Sequence, residues 1–246
     1  MRRSVTSAQR YNCRRPNNSN YFMTPLAESL RASHWGRNLT DEEFERALAG
    51  TTERRIETGA FVCMKGEPVD HWLGVIDGLV KMSSDWVTGK TTTFTGLATG
   101  GWFGEGSLLK SDPRKYDVVA LRDSRIAYLN RSTFLWLMDH SIPFNRFLIT
   151  QLNERLGQFI GMMENERLLD TDARLARNLA AMFNPVLYPG TGSELLISQE
   201  EIGFLAGLSR QRVNQALKKL QDAGLLRLEY GKVIILDVAG LRRFGE

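Results

Sequence analysis

In the stretch "GLSRQRVNQALKKL" (Gly207–Leu220), the apolar residues are Val213, Ala216, Leu217 and Leu220. On a helix they form one stripe. Arg210, Gln211, Asn214, Gln215 and Lys218 form a second stripe on the other side. That stripe carries guanidinium, amide and ammonium ends and no carboxylate over three turns. A solvated helix face usually mixes Glu with Lys, so this one is suited to a partner that repels acids.

The flanking residues define the setting. Upstream, Ser198 caps a first helix and Glu201, three residues on, completes a capping box. That helix ends at Ala206–Gly207, where Gly supplies the positive φ of a tight turn. Ser209 caps the second helix. Ile202, Ala206, Leu208, Val213 and Leu217 face a shared core, and Gly203 sits where the two helices approach. Downstream, "LLRLEYGKVIIL" (Leu225–Leu236) reads as a β-hairpin turning near Tyr230–Gly231. Two capped helices with a tight turn and a following hairpin form a winged helix-turn-helix. Its second helix enters the major groove of double-stranded DNA. A carboxylate there would face phosphates and the acceptor-rich edge of guanine. Arg210 is placed to pair with guanine O6 and N7, and Gln211, Asn214 and Gln215 with adenine N6/N7 or through water. Ser209, Arg212, Lys218 and Gln199 lie on flanks suited to phosphate contacts, and Lys232 at the wing tip is placed to meet the DNA backbone.

Further upstream, Ile149, Leu152, Leu156, Phe159 and Met163 are spaced 3, 4, 3, 4. This is a heptad seam about two heptads long, on a helix starting near Pro143. A seam between two chains fits better than a helix packed only on its own chain, because long apolar side chains on a connecting helix need a partner. From Thr52 to Asn130, short β-rich pieces alternate with regular glycines, the pattern of a sandwich or jelly roll. "LTDEEFERAL" (Leu39–Leu48) is a capped helix before it. The expected organisation is a disordered basic tail over 1–22, a jelly-roll sensor domain over 23–142, a dimerisation helix over 143–169 and a winged helix-turn-helix over 170–246. The fold class is α+β.

Composition sets the outer bounds. The chain has 246 residues and a net charge of +4. Arg2, Arg3, Arg10, Arg14 and Arg15 alone carry about +5, so the remainder is near neutral and the case for DNA rests on local clusters. Cys13 and Cys63 are the only cysteines, too few for a disulfide scaffold or a four-cysteine iron–sulfur cluster. No apolar run reaches the length of a membrane span, and the tail lacks the apolar core of a signal peptide. These features lead us to expect a cytoplasmic protein.

The motifs together resemble the cyclic-AMP receptor protein / fumarate–nitrate reduction regulator family of bacterial transcription factors. "KGEPVDHWLGVIDGLVKM" is similar to that family's early barrel strands. "GGWFGEGSLLKSDPRKYDVVALRDSRIAYL" (Gly101–Leu129) is similar to its phosphate-binding cassette, and Ile197–Leu226 to its DNA-reading helices. The resemblance implies a homodimer, a near-palindromic operator and contact with RNA polymerase, at a position matching the loop Pro185–Ser193. It also implies an effector pocket at Gly104, Glu105 and Arg114, where Glu105 matches the ribose-binding Glu and Arg114 the phosphate-binding Arg. The chain departs from that pattern. Lys115 replaces a phosphate-binding Ser, Tyr116 replaces a small residue, and Phe159 and Ile160 replace the Thr–Ser pair that bonds adenine. An unpaired buried adenine amino group costs about 1–3 kcal/mol. A small effector other than cyclic AMP, or none, therefore fits better, and a cyclic-AMP-responsive regulator of the same fold is the alternative.

Other chemistries fit less well. His34, His71, His140 and Cys63 are haem ligands by residue type only, and no metal is expected. Cys63 as a redox switch has only Lys65 as electropositive context. A metal-dependent jelly-roll enzyme needs clustered His and a carboxylate, which three scattered His do not supply. A cyclic-nucleotide-binding module acting on a protein partner has no need of the acid-free helix and wing.

Overall fold

The computed structural model describes residues 25–85 and 91–245. The expected tail over 1–22 and Cys13 lie outside the described residues. Helices α1 (Pro25–Ala32) and α2 (Asp41–Ala49) lead in, and Thr40 caps α2 through the capping box with Glu43. Eight strands follow: β1 (Thr51–Ile56), β2 (Phe61–Cys63), β3 (His71–Asp77), β4 (Leu79–Asp85), β5 (Thr91–Ala98), β6 (Trp102–Phe103), β7 (Asp117–Ala120) and β8 (Ser124–Asn130). A short helix, α3 (Glu105–Lys110), sits between β6 and β7.

The strands pair antiparallel into two four-stranded sheets, in the orders β1-β8-β3-β6 and β2-β7-β4-β5. This is the jelly roll that the spacing of strands and glycines predicts. Alternating inward residues such as Leu73, Val75, Val80, Met82, Val118 and Ile126 fill the space between the sheets.

A second core binds the barrel to the helices on either side of it. Trp35 lies 5.5 Å from Trp72, 5.1 Å from Trp102 and 5.7 Å from Phe144, measured between ring centroids. Phe134, on α4 (Arg131–His140), completes the cluster. Such aromatic pairs each add about 0.5–1.5 kcal/mol beyond burial. Phe144 belongs to α5 (Ile142–Leu168), so this cluster roots that helix in the barrel. Ser141 caps α5 and Pro143 occupies its first turn, where a missing N–H costs nothing. At 27 residues the helix is about 40 Å long.

The C-terminal unit contains α6 (Thr171–Ala181), a two-residue strand β9 (Glu194–Leu195), α7 (Gln199–Ala206), α8 (Arg210–Asp222), β10 (Leu226–Glu229), β11 (Lys232–Ile235) and α9 (Val238–Arg243). Its sheet order is β10-β11-β9. Leu175, Leu179, Ile202, Val213, Leu217, Leu220 and Val233 form its core. The turn between α7 and α8 has the expected chemistry. Gly207 adopts φ 64° and Ser209 caps α8. A Cβ on Gly203 would stand 2.9 Å from the Leu208 carbonyl oxygen, so the close approach there is to the turn backbone.

The two units are docked on each other. Leu205 of α7 covers Gly96 of β5, where an added Cβ would meet the leucine methyls at 2.9 Å. Arg122, between β7 and β8, pairs with Glu201 at 2.7 Å and donates to the Leu196 carbonyl. Glu201 thus both caps α7 and anchors it to the barrel.

Candidate nucleic-acid interface and effector cavity

On α8, the apolar stripe of Val213, Ala216, Leu217 and Leu220 is buried. Arg210, Gln211, Asn214, Gln215 and Lys218 are all exposed, on one face. The helix carries no acid before Asp222 at its last turn. Ser209 is exposed and its hydroxyl accepts the Arg212 N–H at 3.3 Å. Gln199 opens α7 and is half-buried. It shares a cleft of about 360 Å³ with Arg210, Tyr230 and Glu200, the last an acid at the rim that the reading of α8 alone does not include.

Two expected phosphate contacts are engaged within the chain. The Arg212 guanidinium lies 2.6 Å from Asp172 of α6, a carboxylate that is itself buried and also receives Lys219. Asp172 lies forty residues upstream, beyond the reach of helical periodicity. The pair fixes α8 on α6, so Arg212 is a positioning residue. Lys232 is likewise held, by Glu194 at 2.9 Å and Glu229 at 3.3 Å. Cross-strand partners in a three-stranded wing explain this, and β9 is too short to be read from sequence. The wing tip presents Tyr230 instead, at 104% relative exposure.

The second site is a cavity of about 490 Å³ between the barrel and α5. Gly104, Glu105, Lys115 and Phe159 line it as expected, together with Tyr116. Glu105 is buried and accepts the Trp72 indole N–H at 3.3 Å. Lys115 pairs with Asp112 at 3.2 Å. Arg114 is buried, but its guanidinium turns to the His71 carbonyl at 2.9 Å and packs beneath Gly104. Burial, and next the Glu105 carboxylate, push the Tyr116 phenol well above its ordinary pKa, so it stays a neutral donor.

Ile160 is not part of this cavity. One residue along a helix turns the side chain by about 100°. Phe159 therefore faces the barrel, while Ile160 is 58% exposed on the outer face. There it joins Ile149, Leu156 and Met163, also exposed, and Leu152, which borders both faces. Arg155, four residues before Phe159 and so on its face, is the lining residue the sequence reading missed. The available signal was a cation four residues before Phe159, on the helix face that also carries Phe144, Leu148 and Leu152.

Phe94 of β5 lines both this cavity and a smaller apolar one between β5, α6 and α7. Next to it, the Thr95 hydroxyl lies 2.8 Å from the Tyr188 hydroxyl, and Gln158 of α5 donates to Tyr188 at 2.9 Å. Tyr188 belongs to the loop after α6, so that loop is bonded to the barrel and to α5. Cys63 is buried and its thiol is pushed up to about 11, mainly by burial, which leaves it protonated and poorly nucleophilic. Among the described residues, no group of three His, Cys, Asp or Glu is placed to hold a metal ion, and no helix is long and apolar enough to cross a membrane.

Comparison with known proteins covers both units. Residues 53–141 match the cyclic nucleotide-binding domain model and residues 173–244 the Crp-like helix-turn-helix domain model. The chain is 30% identical, over 70% of its length and 77% of the relative's, to the cAMP-activated global transcriptional regulator CRP of Haemophilus influenzae. Among solved structures, the c-di-GMP responsive global regulator CLP of Xanthomonas campestris is 26% identical with a TM-score of 0.58. That alignment covers 80% of this chain and 99% of the other. FixK2 of Bradyrhizobium japonicum has a TM-score of 0.66 at 19% identity, over 80% and 98% of the two chains, and shows the shared fold.

Proposed function

The chain belongs to the CRP/FNR family of DNA-binding transcription regulators, and from that premise we propose that it acts as a homodimer under an effector other than cyclic AMP. One observation carries the reading. The exposed face of α8 is free of acid from Arg210 to Gln221. In this reading Arg210 reads guanine, Gln211, Asn214 and Gln215 read adenine edges, and Ser209, Gln199 and Lys218 contact phosphate. Tyr230 replaces Lys232 as the wing contact.

The dimer reading rests on the outer face of α5. Ile149 at 68% and Met163 at 59% exposure are large apolar groups left in water by a single chain. Pairing the helices covers them and presents two α8 helices to successive major grooves, about 34 Å apart. The effector reading rests on the wall itself. Phe159 offers adenine no hydrogen bond, Tyr116 occupies the place of a small residue, and Arg114 is turned to a backbone carbonyl. The similar regulator CLP is described as c-di-GMP responsive, which supports a wider range of signals for this fold. Phe94 and the Thr95–Gln158–Tyr188 bonds offer a route from cavity to α7. We further infer contact with RNA polymerase and a cytoplasmic location, which the family role supports.

Binding of the purified protein to duplex DNA across a salt series tests the reading. Affinity falls steeply as salt rises, with a slope set by the phosphates contacted. A flat, negligible response would favour a module acting on a protein partner. Equilibrium dialysis with cyclic AMP is expected to show no saturable binding, and micromolar binding would reinstate cyclic AMP.

A further inference from the structure

The cavity contains a buried cation with no counter-ion. Arg155 is only 9% exposed. Its guanidinium donates to the Trp102 carbonyl and to the Gln158 side chain, both at 3.4 Å, the far limit of a hydrogen bond. Among the described residues no carboxylate lies within 4.0 Å of it. The two acids of the cavity are occupied elsewhere, Glu105 by the Trp72 indole and Asp112 by Lys115. Lys110, Lys115 and Arg155 outnumber Glu105 and Asp112, three to two. A buried charge without a partner is costly, and a ligand of opposite charge would supply the missing partner.

Ser107 and Tyr116 are the uncharged polar side chains of the wall, and Met82, Phe94, Phe103, Leu152 and Phe159 make up its apolar part. A hydrophilic nucleotide base would leave its polar edge unpaired against them. A cavity of about 490 Å³ takes a whole small organic molecule.

We propose that the effector is an amphipathic organic anion, an apolar or aromatic body bearing one carboxylate, whose head pairs with Arg155 and whose body packs against Phe94 and Phe159. The carboxylate matches the planar guanidinium with two parallel hydrogen bonds. Lys110 and Lys115 at the mouth attract it without fixing its geometry. The proposal rests on reading this cavity as the effector site. It places the apolar body on Phe94, the wall shared with the α7 cleft.

The test uses the full-length protein and two measurements that need no DNA, so the DNA-binding reading is judged separately by the salt series. The first is thermal unfolding without ligand. Replacing an uncompensated buried charge by a side chain of similar volume stabilises, so Arg155→Met is expected to raise Tm by about 3 °C or more. A fall in Tm would mean that the guanidinium is a structural tie to Trp102, and would overturn the proposal. The second is calorimetric titration with decanoate and 1-naphthoate, each beside its neutral alcohol. At least one acid is expected to bind the parent, at least tenfold more tightly than its alcohol, with Arg155→Met losing that preference. Binding of neither acid, equal binding of acid and alcohol, or an unchanged preference in Arg155→Met would each overturn it.

Discussion

Helix α8 presents five polar side chains to solvent from one continuous stretch of nine residues, whereas the cavity beneath α5 is assembled from β4, β5, β6, α3, the loop between α3 and β7, and α5 itself. In the first case helical geometry alone brings the chemistry together. In the second, the fold brings it together, and a one-residue error in facing exchanges one side chain for another of different chemistry. The functional consequence follows the same division. An exposed helix face can meet DNA as it stands. A cavity lined by both charged and apolar side chains brings together chemistry from several elements.

The largest expected effect breaks the comparison on the α8 side. Arg210→Ala should cost about 1–3 kcal/mol on the selected site, roughly tenfold to a hundredfold in affinity by competition titration. Random DNA should lose far less, and equal losses would refute base readout. The next asks what holds α8 in place. Asp172→Ala strands Arg212 and Lys219 beside a buried site, and thermal unfolding should show a loss of about 1–3 kcal/mol. An unchanged Tm would mean that the pair only decorates the surface.

Lys218→Ala sharpens the distinction between reading and holding. It should weaken every duplex alike, a few-fold, and lower the log–log salt slope by about one. A sequence-dependent loss would move Lys218 among the reading residues. The smallest effect lies beside the cavity. Burial, and next the Arg54 guanidinium, hold His71 below its ordinary pKa. The unfolded chain therefore binds more protons near and below the unfolded pKa, about 6.5. The stability contributed by neutral His71 is present above that value and is lost as pH falls through the folded pKa. Between about pH 7.5 and 5.5 the parent should lose slightly more Tm than His71→Gln. Identical losses would remove His71 from the balance.

The comparison also explains what the amino-acid order reveals. Both capping boxes, the Gly207 turn and the wing turn depend on residues within four positions of each other, the acid-free face lies within one helix, and the structure places them as read. The jelly roll was legible from the spacing of its strands and glycines. What was hidden depends on distant partners. Arg212 read as a free cation because Asp172 lies forty positions away, and Lys232 because Glu194 lies thirty-eight away and the nearer Glu229 is set opposite it by the hairpin pairing. Ile160 read as a pocket residue because a family pattern gives a pair of positions without the helix rotation that separates their faces. Arg155 was overlooked because a charged residue on a long helix reads as solvated until the barrel is seen to cover it.

The most direct measurement is selection from a random duplex pool by the purified protein, with and without cyclic AMP. The account predicts one near-palindromic site, with half-sites about one DNA turn apart, enriched equally in both arms. A site recovered only with cyclic AMP would contradict the reading of the cavity. Enrichment in neither arm, nor in a third arm run with the acid that binds the cavity, would contradict the reading of α8.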